Sequence, residues 1–426
     1  MSEIGMVLIG GMFILLLAGV PIAVTLGLLT VVGLWMADFS PLIMAQRLIA
    51  GSTVTSLLAI PGFILAGDLM TAGGLSRRLV RIASTCFGHF TGGLSMSTVA
   101  AGTFFGAISG SAPATTAAVG SIMIKELELR GYSRGYGAAL ATAIGPLGQM
   151  IPPSIPMIIW GVLAEESISK LFLAGIIPGL LAAAGFCLIS VIYARRLNIP
   201  REKRPSFAEI LAALRDGIWA LLAPVVILGG IYGGIFTPTE AAMIGALYSL
   251  CIGLFVYKDL SWSQLPGILV GAMRTTTLIM FIIVTAYGFA WVIASERIPS
   301  QISEVLLGIT DNPLLLLLLL NLMLLVLGAV MDTVSAMVIL SGVLIAVGAQ
   351  IGLDPIQLGA MVVINFAVGM VTPPLGYSLF VAASISGLSI ERVTRHLWPF
   401  LLVLVVVVGL VAYIPAITLF LPALLG

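Results

Sequence analysis

The sequence predicts an all-α polytopic membrane protein built from two inverted repeats, each with a re-entrant helical hairpin and a proline-broken transmembrane helix. Three observations lead there. Of 426 residues, 60% are hydrophobic and 9% are charged, against about 25% charged in ordinary soluble domains. A proline pair occurs twice inside apolar sequence, as GQMIPPSIPMIIW (148–160) and GMVTPPLGYSLFV (369–381). The basic residues cluster in alternate loops.

The proline pairs define the repeat. Adding 221 to Pro152 and Pro153 gives Pro373 and Pro374, and the same offset takes Ser111 to Asp332, Ala139 to Ala360, Gly148 to Gly369 and Pro178 to Pro399. Val20–Pro21 and Thr237–Pro238 correspond at an offset of 217, so about one helical turn is inserted between the two registers. Such internal symmetry marks transporter architecture.

In chain order, the first repeat (1–194) reads as helices at about 4–18, 20–36 and 47–72. A re-entrant hairpin (about 93–124), a broken helix (about 136–165) and a closing helix (171–194) follow. Residues 195–216 (RRLNIPREKRPSFAEILAALRD) form the one long charged stretch, a cytoplasmic connector too short and mixed for a soluble domain. The second repeat (217–426) reads as helices at 217–236, 238–257 and 274–295, a hairpin at about 312–350, a broken helix at about 357–386 and a helix at 397–424. Runs such as 313–331 and 398–424 reach the roughly 20 apolar residues a membrane helix needs.

With the N-terminus outside, cytoplasmic loops hold Arg77, Arg78 and Arg81; Lys125, Arg130 and Arg134; the connector's basic residues; Lys258 and Arg274; and Arg392 and Arg395. Of 19 lysines and arginines only Arg47, Lys170 and Arg297 fall elsewhere. The positive-inside rule prefers this arrangement. Corresponding loops of the two halves take opposite sides, so the repeats are inverted and both termini are periplasmic.

Non-helical backbone at membrane depth is tolerated where it lines a cavity or is buried in protein. A proline break frees carbonyls, which can coordinate a cation, while half-helix N-termini attract anions. Gly148–Pro153 and Gly369–Pro374 are therefore two candidate cation sites, with Gln149 adding an amide to the first and Thr372 a hydroxyl to the second. At the first hairpin tip, GAISGSAPATT (106–116), Ser111 can cap the outgoing half-helix and Pro113 suits its first turn. In the second tip, GAVMDTVSA (328–336), Asp332 replaces Ser111, and a charge between long apolar runs costs about 2.5–3.5 kcal/mol. It reads as a helix cap that also serves the site. Glu240 reads as a structural first-turn acid, Asp68 as a solvated residue near a cytoplasmic helix end, Arg47 as an interfacial anchor, and Asn321 and Asn365 as able to bond across helices.

Other classes find little support. The cysteines (Cys86, Cys187, Cys251) are odd in number and far apart, without the spacing of a disulfide framework or metal site. Met1–Ile4 lacks the basic region of a signal peptide. Neither histidine lies in a membrane run, there is no H-E-x-x-H, and SGS lacks the flanks of a hydrolase elbow. No enzyme activity, organic cofactor or nucleic-acid partner is expected. A channel is a rival, since inverted repeats with re-entrant loops also build channels.

Across essentially its whole length the chain resembles the large membrane subunit of tripartite ATP-independent periplasmic (TRAP) transporters, the DctM or SiaM type. The matching stretches are IPGFILAGDLM (60–70), FGAISGSAPA (105–114), IPPSIPMIIWG (151–161), FTPTEAA (236–242), GAVMDTVSA (328–336) and VTPPLGYSLFVAASISG (371–387). The first tip departs from the common family pattern in its SGSAPA proline. The resemblance implies an elevator-type secondary transporter of the bacterial inner membrane, driven by Na⁺ and importing an organic acid: a C4-dicarboxylate, sialic acid or related sugar acid. Implied partners are a separate small four-helix membrane subunit (DctQ or SiaQ type) and a periplasmic substrate-binding protein (DctP or SiaP type). A stand-alone Na⁺-coupled anion carrier is the alternative.

At least two Na⁺ sites are expected on this basis. Ser109, Gly110 and Ser111 with Gly148, Ile151 and Pro152 would bind one ion. Gly328 and Asp332 with Gly369, Thr372 and Pro373 would bind the other. Ser111, Thr115, Gln149, Pro153, Asp332, Thr333, Asn365 and Pro374 would face the substrate.

Overall fold

A computed structural model describes residues 3–308, 310, 312–374 and 376–425, and no strand occurs among them. In chain order the helices are α1 (Glu3–Leu17), α2 (Ile22–Met36), α3 (Leu42–Ser52), α4 (Ala59–Ala72) and α5 (Leu75–Phe87). The first hairpin is α6 (Gly93–Ser109) and α7 (Ala112–Leu129). The first broken helix comprises α8 (Arg134–Ala143), α9 (Leu147–Met150) and α10 (Ile155–Leu163), and α11 (Ile168–Arg196) closes the repeat. Then come α12 (Phe207–Tyr232), α13 (Pro238–Cys251), α14 (Leu265–Ser295) and α15 (Ile298–Leu307). The second hairpin is α16 (Pro313–Val330) and α17 (Thr333–Gln350). The second broken helix is α18 (Pro355–Gly369) and α19 (Tyr377–Ser386), followed by α20 (Ile390–Tyr413) and α21 (Pro415–Leu425). Eight of the described helical stretches are long and apolar enough to cross a membrane.

Side-chain caps start the helices of both halves at matching places. Ser133 Oγ accepts from Tyr136 N at 3.2 Å, and Asp354, 221 residues on, accepts from Ile356 N at 2.8 Å. Each satisfies a donor that the first helical turn leaves orphaned. Packing repeats in the same way. Between the halves, the α4–α13 contact is answered by α14–α2, and α19 against α7 and α8 is answered by α10 against α17 and α18. The deepest core lies among the hairpins, broken helices, α11 and α20, around Tyr136, Trp160, Phe172, Phe186, Phe366 and Phe400, all under 2% exposed. Gln357 fastens α18 to the end of α20 by donating to Val411 O (3.1 Å) and Ala412 O (3.0 Å).

Several elements differ from the sequence reading. The helix expected at 47–72 is divided: the Ser52 and Thr53 hydroxyls fold back onto Ile49 O and Ala50 O, and a 3₁₀ turn at Thr55–Leu58 precedes α4. Hydroxyls near a helix end compete for backbone partners in this way. The helix expected at 397–424 breaks at Ile414, where Pro415 cannot continue the ladder. The connector is shorter than 195–216, because a Ser206–Glu209 capping box starts α12 at Phe207. Both α5 and α15 were unanticipated. Thr237 and Glu240 form a second capping box, in keeping with Glu240's structural reading, and Arg47 lies over the Trp291 ring at 5.3 Å.

Candidate functional site

The four ends made by the two hairpins and two broken helices approach one another because small residues leave room. Gly110, in the left-handed region (φ +61°), reverses the chain between α6 and α7. Its carbonyl accepts from Ile155 N at 3.2 Å, bonding the first tip to the outgoing half of the broken helix. Gly148 lies against the start of α7, where an added Cβ would come within 2.4 Å of Thr115 Oγ1 and 2.7 Å of Ser111 O. Ser109 Oγ and Thr115 Oγ1 are 3.0 Å apart, and Thr115 Oγ1 donates to Ser111 O at 2.9 Å. Ser109, Gly110, Ser111, Thr115 and Gly148 are thus one oxygen-rich cluster of neutral donors and acceptors. Its ligand chemistry, hydroxyls and carbonyls, suits a hard monovalent cation. Ile151, Pro152 and Pro153 are buried beside it, and the Pro152–Pro153 and Pro373–Pro374 peptides are both cis.

The capping expected of Ser111 does not occur. Ser111 occupies the N-cap position of α7, yet its side chain accepts no bond from the helix. Pro113 in the first turn removes one donor, and the hydroxyl lines a cavity instead.

In the second half Asp332 does cap α17: Oδ1 accepts from Val334 N (3.0 Å) and Ser335 N (3.1 Å), and Oδ2 accepts from the Ser335 hydroxyl. Gly369 presses on Gly328, with an added Cβ only 2.3 Å from the Gly328 carbonyl carbon. Thr372 turns its hydroxyl onto Val368 O at 2.7 Å. Pro373 is half-buried and Pro374 exposed.

Both tips face one cavity of about 290 Å³, bounded by Ser109, Ser111, Gln149, Ile155 and Pro156 of the first repeat and Asp332, Thr333, Val334 and Met370 of the second. Gln149 and Thr333 are nearly inaccessible, and Gln149 Oε1 and Thr333 Oγ1 lack a hydrogen-bond partner among the described residues. A buried polar group left unpaired is unfavourable by about 1–3 kcal/mol, so these two are ready to receive a ligand.

Other site candidates lie off the cavity wall. Thr115, Pro153, Thr372, Pro373 and Pro374 do not line it. Asn365 is fully buried and donates to Asn321 Oδ1 at 2.7 Å and Met361 O at 2.9 Å. It bridges α18 to α16 rather than facing the cavity.

The sequence reading missed the opposite wall, which α4 and α14 supply through Ile64, Gly67, Asp68, Thr275 and Ile279. Gly67 makes the approach close, since a Cβ there would touch Ser109 at 3.4 Å. The available signal was an acid beside a glycine within FILAGDLM; Asp68 is exposed, and the space it is exposed to includes this cavity. Among the described residues no lysine, arginine or histidine lines the cavity.

The family described as "Tripartite ATP-independent periplasmic transporter, DctM component" matches residues 9–417. The chain is 42% identical over 383 residues to the C4-dicarboxylate TRAP transporter large permease protein DctM of Pseudomonas aeruginosa, covering 90% of each chain. It is 39% identical to the 2,3-diketo-L-gulonate TRAP transporter large permease protein YiaN of Escherichia coli, covering 96% of this chain and 95% of the other. In fold it is similar to the crystal structure of the Alcanivorax borkumensis YdaH transporter, with a TM-score of 0.62 and 17% identity over 87% of this chain and 86% of the other. With relatives that are transporter permeases and a model that spans nearly all of the sequence, this multi-pass membrane chain belongs to the DctM-component family of tripartite ATP-independent periplasmic transporters.

Proposed function

We propose that this chain is the large transmembrane subunit of a Na⁺-coupled importer of an organic acid, working by an elevator motion in the bacterial inner membrane with both termini periplasmic. The observation that carries this reading is a cavity shared by both tips, with orphaned polar atoms in its wall. The C4-dicarboxylate and diketogulonate named for the relatives are organic acids. A small four-helix membrane subunit and a periplasmic substrate-binding protein complete the assembly.

The Ser109–Ser111 and Thr115 cluster against Gly148 holds one Na⁺. Asp332 with the Gly328–Gly369 junction and Thr372 holds a second. Cation binding at the tips orders them and completes an anion-attracting frame from the N-termini of α7 and α17. The gain in anion affinity equals the gain in Na⁺ affinity when the anion binds first. Hairpins, broken helices, α11 and α20 move as the carrier body, while α1–α4 and α12–α14 stay as the scaffold.

The test is uptake in proteoliposomes holding the chain and its small subunit. The binding protein is added with a labelled organic acid that it retains. Accumulation should need both the binding protein and an inward Na⁺ gradient. Accumulation with Na⁺ but without the binding protein identifies a stand-alone carrier. Flux indifferent to both identifies a channel.

A further inference from the structure

Among the described residues two carboxylates, Asp68 and Asp332, border the shared cavity, and no cationic side chain does. Their situations differ. Both Asp332 oxygens accept hydrogen bonds at the positive end of α17. Asp68 lies one residue before the last turn of α4, where the helix dipole is negative. Among the described residues it has neither a hydrogen bond nor a salt bridge. The groups around the cavity favour a positive occupant: the Asp332 carboxylate, the carbonyl end of α4 and, in the facing wall, the orphaned Gln149 Oε1. Asp68 is exposed, so its unpaired carboxylate is open to a counter-charge entering the cavity. The Na⁺ proposed at the second tip answers Asp332 and leaves Asp68, on α4, as the carboxylate without a partner among the described residues.

We propose that the substrate of this chain is a small zwitterionic acid, with a cationic nitrogen as well as a carboxylate, and that Asp68 selects it by pairing with the nitrogen. The carboxylate lies toward the N-termini of α7 and α17, within reach of the Ser111 and Thr333 hydroxyls. The nitrogen lies toward Asp68, with Gln149 Oε1 in the facing wall. The cavity volume of about 290 Å³ is at the lower end of small-ligand sites (about 300–1,000 Å³), which suits a molecule of amino-acid size. Asp68 also comes from α4, outside the hairpins and broken helices, so this contact exists only where the tips stand against α4. The inference rests on the proposed Na⁺-coupled carrier function.

The experiment reads ²²Na⁺ entry into proteoliposomes holding the chain with its small subunit and binding protein. Unlabelled acids are added one at a time: succinate, gluconate, 4-aminobutyrate, L-glutamine and glycine betaine. Stimulation by one of the zwitterions is expected. Asp68→Asn should lower it at least about tenfold, the scale of one lost charge-assisted contact, and Asp68→Glu should retain most of it. Stimulation by succinate or gluconate alone, unchanged in Asp68→Asn, overturns the substrate assignment and leaves the carrier function standing. A higher half-maximal Na⁺ concentration in Asp68→Asn, with unchanged preference among the acids, shows that Asp68 serves the co-ion and also overturns it. Stimulation by none of the acids, in a preparation that accumulates no acid retained by the binding protein, overturns the carrier function itself.

Discussion

Asp332 does two jobs with separable chemistry. It caps α17 through Oδ1, and it brings a negative charge to the shared cavity. Asparagine keeps a capping oxygen and removes the charge, whereas alanine removes both. Loss of a cap costs about 1 kcal/mol of stability. Asp332→Asn should therefore fold and insert normally and lose Na⁺-dependent uptake by more than about tenfold, while Asp332→Ala should also unfold at a lower temperature. Wild-type uptake in the asparagine variant would remove the charge from the ion site. Asp332 was legible in the sequence because a charge between two long apolar runs demands a reason. Asp68 is exposed, in keeping with its solvated reading, and its place on the cavity wall was not legible, because sequence alone does not say that the Gly67 face of α4 meets the first tip. Ser111 makes no cap although Ser154, with the same Ser-x-Pro spacing, accepts from Met157 N; the difference is one of side-chain direction, since the Ser111 residue borders the cavity.

At the scale of elements, glycine separates the junctions that must be tight from those that need not be. At Gly369 a methyl group would collide with the Gly328 backbone at 2.3 Å, and backbone cannot rotate away. Gly369→Ala should destabilise the carrier by about 1–3 kcal/mol, as overpacking does, and abolish uptake. Gly229, within α12, would meet nothing within 4 Å. Gly229→Ala should be neutral or raise thermal stability by up to about 1 kcal/mol through helix propensity. Similar melting temperatures for the two variants would show that the second tip does not depend on the Gly328–Gly369 contact. The long helices and both proline breaks were legible because apolar length and paired prolines are strong local signals. The divisions at Thr53 and Ile414 were less so. Each lies in sequence apolar enough to continue, and a hydroxyl pair or one proline decides the break. The start of α12 was missed although Ser206 and Glu209 have capping-box spacing, because the charges around them suggested a loop.

For the whole molecule, inversion is the property on which the mechanism depends. Two halves related by a twofold in the membrane plane can exchange conformations, which gives a carrier two mirror-like states of similar energy. Equivalent helix starts must then emerge on opposite faces. Ser167 is the N-cap of α11, and Ser389 occupies the same place before α20. In the proposed topology Ser389, next to Arg392 and Arg395, is on the cytoplasmic side and Ser167 on the periplasmic side. Asn312 caps α16 and should also be periplasmic; its neighbour Asp311 lies outside the described residues. Single cysteines at these three positions, in a background with Cys86, Cys187 and Cys251 replaced, can be tested with a membrane-impermeant maleimide on whole cells. Ser167→Cys and Asn312→Cys should label after outer-membrane permeabilisation. Ser389→Cys should label only when the inner membrane is opened. Labelling of Ser167→Cys and Ser389→Cys from the same side would make the repeats parallel. The two tips could not then reach one cavity from opposite faces, and the elevator motion would lose its symmetry-related second state.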